Sequence, residues 1–293
     1  MRLASYLHEG RPGWGAIDGE RIKPLDAAWP DLRSALAAGI ADIAARAAEA
    51  EATIALDAVT LLPPVPNPEK ILAIGVNYRS HSAETGRAIA EHPAIFVRFP
   101  DAQVGSGQPI VRPFLSEKFD FEAELAVVMG RAGRHIRVED ALGHVAGYAC
   151  FADNALRDFQ RHTNQATPGK NFDASGAFGP WLVTADEIGD PARLTLTGRL
   201  NGEQVQHSPV DNLIFSVPEL IAYISSFTTL KPGDVIATGT PSGVGMKRTP
   251  PLFMRAGDVF EVEISGIGIL RNQVIDEPIP TDAAASPAIA GAE

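Results

Sequence analysis

Phe119-Asp120-Phe121-Glu122-Ala123-Glu124-Leu125, running on into Ala126-Val127-Val128-Met129, sets the terms for the whole chain. Apolar Phe119, Phe121, Ala123 and Leu125 alternate with Asp120, Glu122 and Glu124, which is the period of a β-strand. Residues two apart on a strand project to one side, so Glu122 and Glu124 share a face with Asp120 in line. Adjacent carboxylates repel, and one of them takes a raised pKa unless a cation lies between them. Hard divalent cations such as Mg2+ and Mn2+ prefer oxygen ligands of this kind. A polar, solvated strand face gives the same pattern, so the choice rests on the remainder of the chain.

The chain has 293 residues and a net charge of −11. Such an acidic balance argues against a nucleic-acid partner or an anionic membrane surface. It leaves room for an anionic substrate, because a bound metal or a few local bases reverse the field inside one cleft. Plentiful Gly and Pro favour a strand-rich, turn-rich fold over a helical bundle. Cys150 is the single cysteine, so no internal disulfide forms and a cytoplasmic setting is expected. Met1–Tyr6 lacks the long apolar core of a signal peptide, and no apolar run approaches membrane-spanning length.

Upstream, residues 1 to about 25 read as short strands, with Asp18-Gly19 as a hairpin signal. Leu32, Leu36, Ile40 and Ile43 mark a helix from Asp31 towards Ala55, weakened at Gly39. The proline-rich run from Leu62 to Pro68 cannot continue a helix and places a boundary between residues 1–65 and 66–277. Ile71–Val76 reads as a buried strand leading into Asn77-Tyr78-Arg79-Ser80-His81-Ser82-Ala83-Glu84. In a helix, His81 and Glu84 would share a face, and a carboxylate beside an imidazole orients it as a general base. A surface His–Glu pair is the plain alternative. Segment 79–92 is polar, contains Gly86, and is expected to order as a lid over substrate.

Downstream, the Val145–Phe151 strand ends at Asp153, followed by Arg157 and Gln160 at i, i+3. Asp153 is either a site residue or a cap for the next turn. Lys170, after Pro168 and Gly169, is either a substrate-facing cation or a solvated one. Asn201-Gly202 predicts a hairpin, and Ser216 with Glu219 predicts a capping box. The loop Gly239-Thr240-Pro241-Ser242-Gly243-Val244-Gly245 lacks the ending of a phosphate-binding P-loop, but its free N–H groups and the Thr240 hydroxyl suit a carboxylate. Residues 278–293 are Ala- and Pro-rich and expected to be disordered.

In this order the segments resemble the fumarylacetoacetate hydrolase family over roughly Ile71 to Val274. The carriers are Gly75-Val76-Asn77-Tyr78 with His81 and Glu84, Phe121–Leu125, Asp153 with Arg157-Asp158 and Gln160, Gly169-Lys170, Thr238–Pro241 and Gly266-Ile267-Gly268. The resemblance implies a mixed α/β, predominantly β fold, a mixed β-sheet roll or distorted barrel with a small N-terminal domain, usually a homodimer. It implies Mg2+ or Mn2+ on Glu122, Glu124 and Asp153, and a small anionic 2-oxo or diketo acid as substrate. By the same analogy His81 with Glu84 activates water, Lys170 stabilises developing negative charge, and Arg157, Gln160 and Thr240 orient substrate. The leading expectation is hydrolysis of a C–C bond in an acylpyruvate or fumarylpyruvate. The alternatives are an oxaloacetate-type decarboxylase or isomerase on the same site, and a non-catalytic ligand-binding protein on this fold.

Overall fold

A computed structural model describes residues 1–86 and 88–279. From Pro280 onward, the tail expected to be disordered lies outside the described residues. The fold is mixed α/β and strand-rich, as the sequence implies. One long sheet runs, in order, through Ile54–Ala55, Arg21–Pro24, Arg11–Asp18, Arg2–His8, Gly176–Thr184, Val145–Ala152, Ala123–Met129, Val235–Ala237, Ile71–Gly75 and Ala94–Arg98. The N-terminal strands thus extend the main sheet, through the pairing of Arg2–His8 with Gly176–Thr184. A second sheet contains Glu203–Pro209, Thr195–Leu200, Val259–Ile264, Gly268–Asp276 and Ile110–Arg112. Among the described residues no helix is long and apolar enough to cross a membrane.

The Ala123–Met129 strand lies inside the long sheet and is buried on both faces, which suits its near-continuous apolar sequence. Leu125, Val127 and Met129 enter the core shared with Phe260, Val262 and Leu270 of the second sheet. Ala126 and Val128 face the other way, into a core closed by Leu32, Leu36 and Ile43. Those last residues come from two helices, Leu32–Ala38 and Ile40–Glu49. The expected helix is interrupted at Gly39, as its sequence implies, where φ is 122° and outside any helical region, and it stops at Glu49 instead of near Ala55. Ile54–Ala55 instead pairs as a strand.

Other local expectations are met by specific chemistry. Asn201 and Gly202 both take positive φ, 54° and 83°, as a type I′ turn requires. Ser216 and Glu219 form the reciprocal capping box that starts helix Val217–Phe227. The acidic stretch departs from expectation. Phe119–Asp120 pairs with Ala155–Leu156 in a small sheet of its own, and the long strand begins only at Ala123. Phe121 and Glu122 bridge the two sheets, so the alternation is real but the strand is interrupted.

Asn77 joins the pieces that carry the site. Its side chain donates to Phe215 O at 3.0 Å and Thr238 O at 2.8 Å and accepts from Phe215 N at 2.8 Å. It is fully buried. Asn77→Leu leaves these backbone groups without partners, and unpaired buried groups cost about 1–3 kcal/mol each. Chemical denaturation should show a loss on the order of 3 kcal/mol for this variant; a loss under about 1 kcal/mol would show that the three strand ends are held by other contacts.

Candidate metal centre and active site

Strand register brings the carboxylates together. Ala123 pairs with Ala152, so Glu122 and Asp153 are the next facing pair, and Asp153 N–H donates to Glu122 O at 2.9 Å. Glu124 lies two residues on. One oxygen from each of Glu122, Glu124 and Asp153 falls within 4.8 Å of the other two, and all three side chains are buried.

Three cations surround this triad unevenly. Lys170 Nζ donates to Glu122 Oε2 at 2.7 Å, Asp153 Oδ2 at 2.7 Å and Asp153 O at 2.5 Å. An ammonium has three donors, so Lys170 is neither solvated nor free: its protons are committed to two of the carboxylates. Arg157 Nη1 meets Glu122 Oε1 at 2.6 Å, and Arg98 Nη1 meets Asp153 Oδ1 at 2.8 Å. Glu124 receives the Gly239 N–H at 2.8 Å and forms no ion pair among the described residues.

The acidities follow from that asymmetry. Burial pushes the Glu122 carboxyl up, but Lys170 and Arg157 outweigh it and bring the group down to about 2. Burial raises Glu124 well above the usual range, and the charges of Asp153 and Glu122 raise it further. Asp153 is also raised, since burial exceeds the opposing pull of Lys170 and Arg98. A carboxyl that is desolvated, crowded by like charge and without a cationic partner fits a divalent cation, which favours the ionised form. The all-oxygen donor set suits Mg2+ or Mn2+. The residues present therefore fit the metal that the resemblance implies.

Of the catalytic candidates, His81 and Lys170 line the same cavity, of about 540 Å³, as Glu122 and Glu124, and Glu84 bonds His81. Helix Arg79–Thr85 carries His81, whose Nδ1 lies 2.9 Å from Glu84 Oε2. Glu84 Oε1 in turn accepts the Gly243 N–H at 2.8 Å, which latches the helix to the glycine loop. With Nδ1 engaged by Glu84, Nε2 is the ring nitrogen left for proton exchange. The glycine loop does hold carboxylates, and they are the protein's own: Gly239 donates to Glu124, Gly243 to Glu84 and Gly245 to Asp120 at 2.7 Å. Gly239 has φ of 107°, and a Cβ there would come within 2.7 Å of Asn77 Cβ.

Two expected substrate contacts, Thr240 and Gln160, line the cavity and also bond to other residues of the protein. Thr240 lines the cavity, but its hydroxyl donates to Ala123 O at 2.9 Å and accepts from Gln206 Nε2 at 2.7 Å. Gln160 accepts from Arg157 Nη1 at 3.0 Å. Arg157 itself is well placed: Asp120 holds its Nε at 2.8 Å, and its buried Nη2 has no partner among the described residues. Asp120, expected in line with the triad, instead clamps Arg157 and the N–H groups of Gly245 and Met246. Arg98, Asp120 and Gln206 are the functional neighbours that sequence reasoning missed. Arg98 had a signal, a charge inside the otherwise apolar run Ile95–Phe99, and such a charge needs a buried partner. Gln206 had none.

Glu124→Gln keeps the shape and an oxygen for the Gly239 N–H but removes the charge. Thermal unfolding should show metal-free stability equal to or above wild type, with loss of the stabilisation by Mg2+ or Mn2+, about 2.7 kcal/mol at a hundredfold excess over Kd. A metal-induced rise of wild-type size in this variant would place the cation elsewhere.

Known proteins are similar to this chain in sequence and fold. The family model described as fumarylacetoacetate hydrolase, C-terminal, matches residues 70–275, and an Rv2993c-like N-terminal model matches residues 1–64. The mitochondrial oxaloacetate tautomerase fahd2 of Xenopus laevis is 45% identical over 219 residues, 74% of this chain and 69% of that protein. A fumarylacetoacetate hydrolase from psychrophilic Exiguobacterium antarcticum superposes with TM-score 0.81 at 33% identity, covering 94% of this chain and all of the other. The maleylpyruvate hydrolase of Sphingobium sp. SYK-6, solved with manganese(II) and pyruvate, gives TM-score 0.79 at 30% identity, covering 95% of this chain and all of the other. With its buried acidic triad and a family match over most of its length, this chain belongs to the fumarylacetoacetate hydrolase family.

Proposed function

We propose that this protein interconverts the keto and enol forms of a 2-oxo acid, with oxaloacetate as the leading substrate, at a Mg2+ or Mn2+ site on Glu122, Glu124 and Asp153. The observation that carries the reading is that the oriented His81 lines the same cavity as Glu122 and Glu124 of the triad. The tautomerases of Xenopus laevis and, at 42% identity, Homo sapiens support the choice of oxaloacetate. This replaces hydrolysis, the leading expectation from sequence, with the isomerase alternative.

Enolisation moves one proton between the carbon beside the keto group and the keto oxygen. Those atoms are two bonds apart, so one imidazole can serve both. A divalent cation held by the triad supplies a Lewis acid that stabilises negative charge on the keto oxygen. His81 Nε2 takes the carbon-bound proton and returns it to the oxygen; the reverse direction uses the same atoms. Glu84 fixes the ring through Nδ1. Lys170 favours the ionised forms of Glu122 and Asp153 and orients both, acting on substrate charge through them. The free Arg157 Nη2 is the donor for the substrate's 2-oxo carboxylate. Simple decarboxylation needs the cation but no base, so the His81–Glu84 pair favours proton transfer over it.

Hydrolysis of an acylpyruvate is the second reading. The likeness to the manganese-containing maleylpyruvate hydrolase favours it. The same His81 would then deprotonate water.

General-base assistance is worth about 10²–10⁴-fold. His81→Ala should therefore slow enol–keto interconversion of oxaloacetate, above the spontaneous background, by a factor in that range while Mn2+ affinity changes little. Stopped-flow decay of the enol absorbance reads the rate, and calorimetry reads the metal. Full tautomerase activity without His81 would assign the proton transfer to another group.

A further inference from the structure

The outer end of the cavity carries two cations that the proposed chemistry does not use. Arg161 ends the short turn Phe159–Arg161, and Lys247 ends the short turn Gly245–Lys247. Both line the cavity with Glu122 and Glu124. Neither forms an ion pair among the described residues, although the chain has a net charge of −11. Most exposed cations are solvated and do nothing specific.

What distinguishes this pair is how it is fixed to the inner site. Asp120 accepts the Gly245 and Met246 N–H groups at 2.7 and 2.9 Å, and the same carboxylate holds Arg157 Nε. Arg157 in turn bonds Gln160, the neighbour of Arg161. Asp158 accepts the Ser116 hydroxyl and caps the turn through Phe159 N–H at 2.9 Å. The turns also meet directly, with Arg161 Nη2 3.8 Å from Met246 Sδ. A single buried carboxylate thus sets both outer cations in register with the triad. The lining between them includes Thr163 and Gln165, which are polar.

We propose that Arg161 and Lys247 form an outer anion subsite that binds a second carboxylate of the substrate, so that the enzyme selects 2-oxo acids with a distal carboxylate over 2-oxo monocarboxylates. This rests on the 2-oxo acid reading above. It adds where selectivity resides. The inner end binds the part common to all 2-oxo acids through the triad and Arg157, whereas the outer end distinguishes among them. A charge-assisted contact at a partly solvated mouth is worth roughly a tenfold change in affinity, and it weakens as ionic strength rises.

The test uses the full-length Mn2+-loaded protein and two non-enolisable probes: difluoro-oxaloacetate and its ester at the distal carboxyl. Calorimetry gives a Kd for each. In wild type the diacid should bind about tenfold or more tightly than the ester. In Arg161→Gln/Lys247→Gln that ratio should fall close to one, and in Arg161→Lys/Lys247→Arg it should be largely restored. An unchanged ratio in the Gln variant overturns the subsite, while the tautomerase reading stands if wild type still enolises oxaloacetate. Wild-type protein that binds both probes but enolises neither oxaloacetate nor its ester overturns the tautomerase reading alone; a ratio near one in wild type overturns the subsite.

Discussion

A buried carboxylate without a cation governs this molecule. Around the site four buried carboxylates, Asp120, Glu122, Glu124 and Asp153, face three buried cations, Arg98, Arg157 and Lys170. Asp120, Glu122 and Asp153 each have cationic partners; Glu124 has none. Removing a charge from water costs several kcal/mol, and removing one partner of a buried pair leaves that cost uncompensated. The metal-free arrangement therefore favours a proton on Glu124, and a divalent cation removes the need for it. Folding and metal binding are coupled at that one group.

Much of the surrounding structure follows from holding this cluster in place. The triad is set by the register of two buried strands. Its partners come from elsewhere: Arg98 from an edge strand, Lys170 from a one-turn helix, Arg157 from a loop after a two-residue strand. The glycine loop closes the circle by donating N–H groups to Glu124, Glu84 and Asp120. The loop needs glycine because its backbone packs tightly against its neighbours: a Cβ on Gly245 would fall 1.7 Å from Leu252 O and 2.6 Å from Asp120 Oδ1, and one on Gly243 would fall 2.1 Å from Val205 O. The result joins Glu124, the His81–Glu84 pair and Arg157 in one hydrogen-bonded frame, pre-organised as electrostatic catalysis requires.

How much of this could be read in the sequence depended on range. Glu122, Glu124 and the His81–Glu84 pair lie close in the chain, where period and i, i+3 spacing are informative. The hairpin at Asn201-Gly202 and the cap at Ser216 are local for the same reason. The interruption at Phe121-Glu122 was hidden because alternation continues through it unchanged; only pairing with Ala155–Leu156 shows that the chain changes sheets there. Lys170 and Arg98 were harder still. A lysine and an arginine carry no periodic signature, and their burial depends on contacts 48 and 55 residues away. Asp120 shares the alternation, and nothing local shows that two backbone N–H groups and Arg157 take it.

The reactions available to such a centre differ in the proton, since each needs the cation to stabilise an enolate. Tautomerisation exchanges a carbon-bound proton with no carbon–carbon bond broken, decarboxylation releases carbon dioxide, and hydrolysis splits an acylpyruvate. Proton NMR of oxaloacetate in deuterated water, with the Mg2+-loaded protein, separates these directly. The account predicts that deuterium enters at the carbon beside the keto group well above the spontaneous rate, with no matching formation of pyruvate. Pyruvate appearing as fast as deuterium, or no exchange above the spontaneous rate, would contradict it.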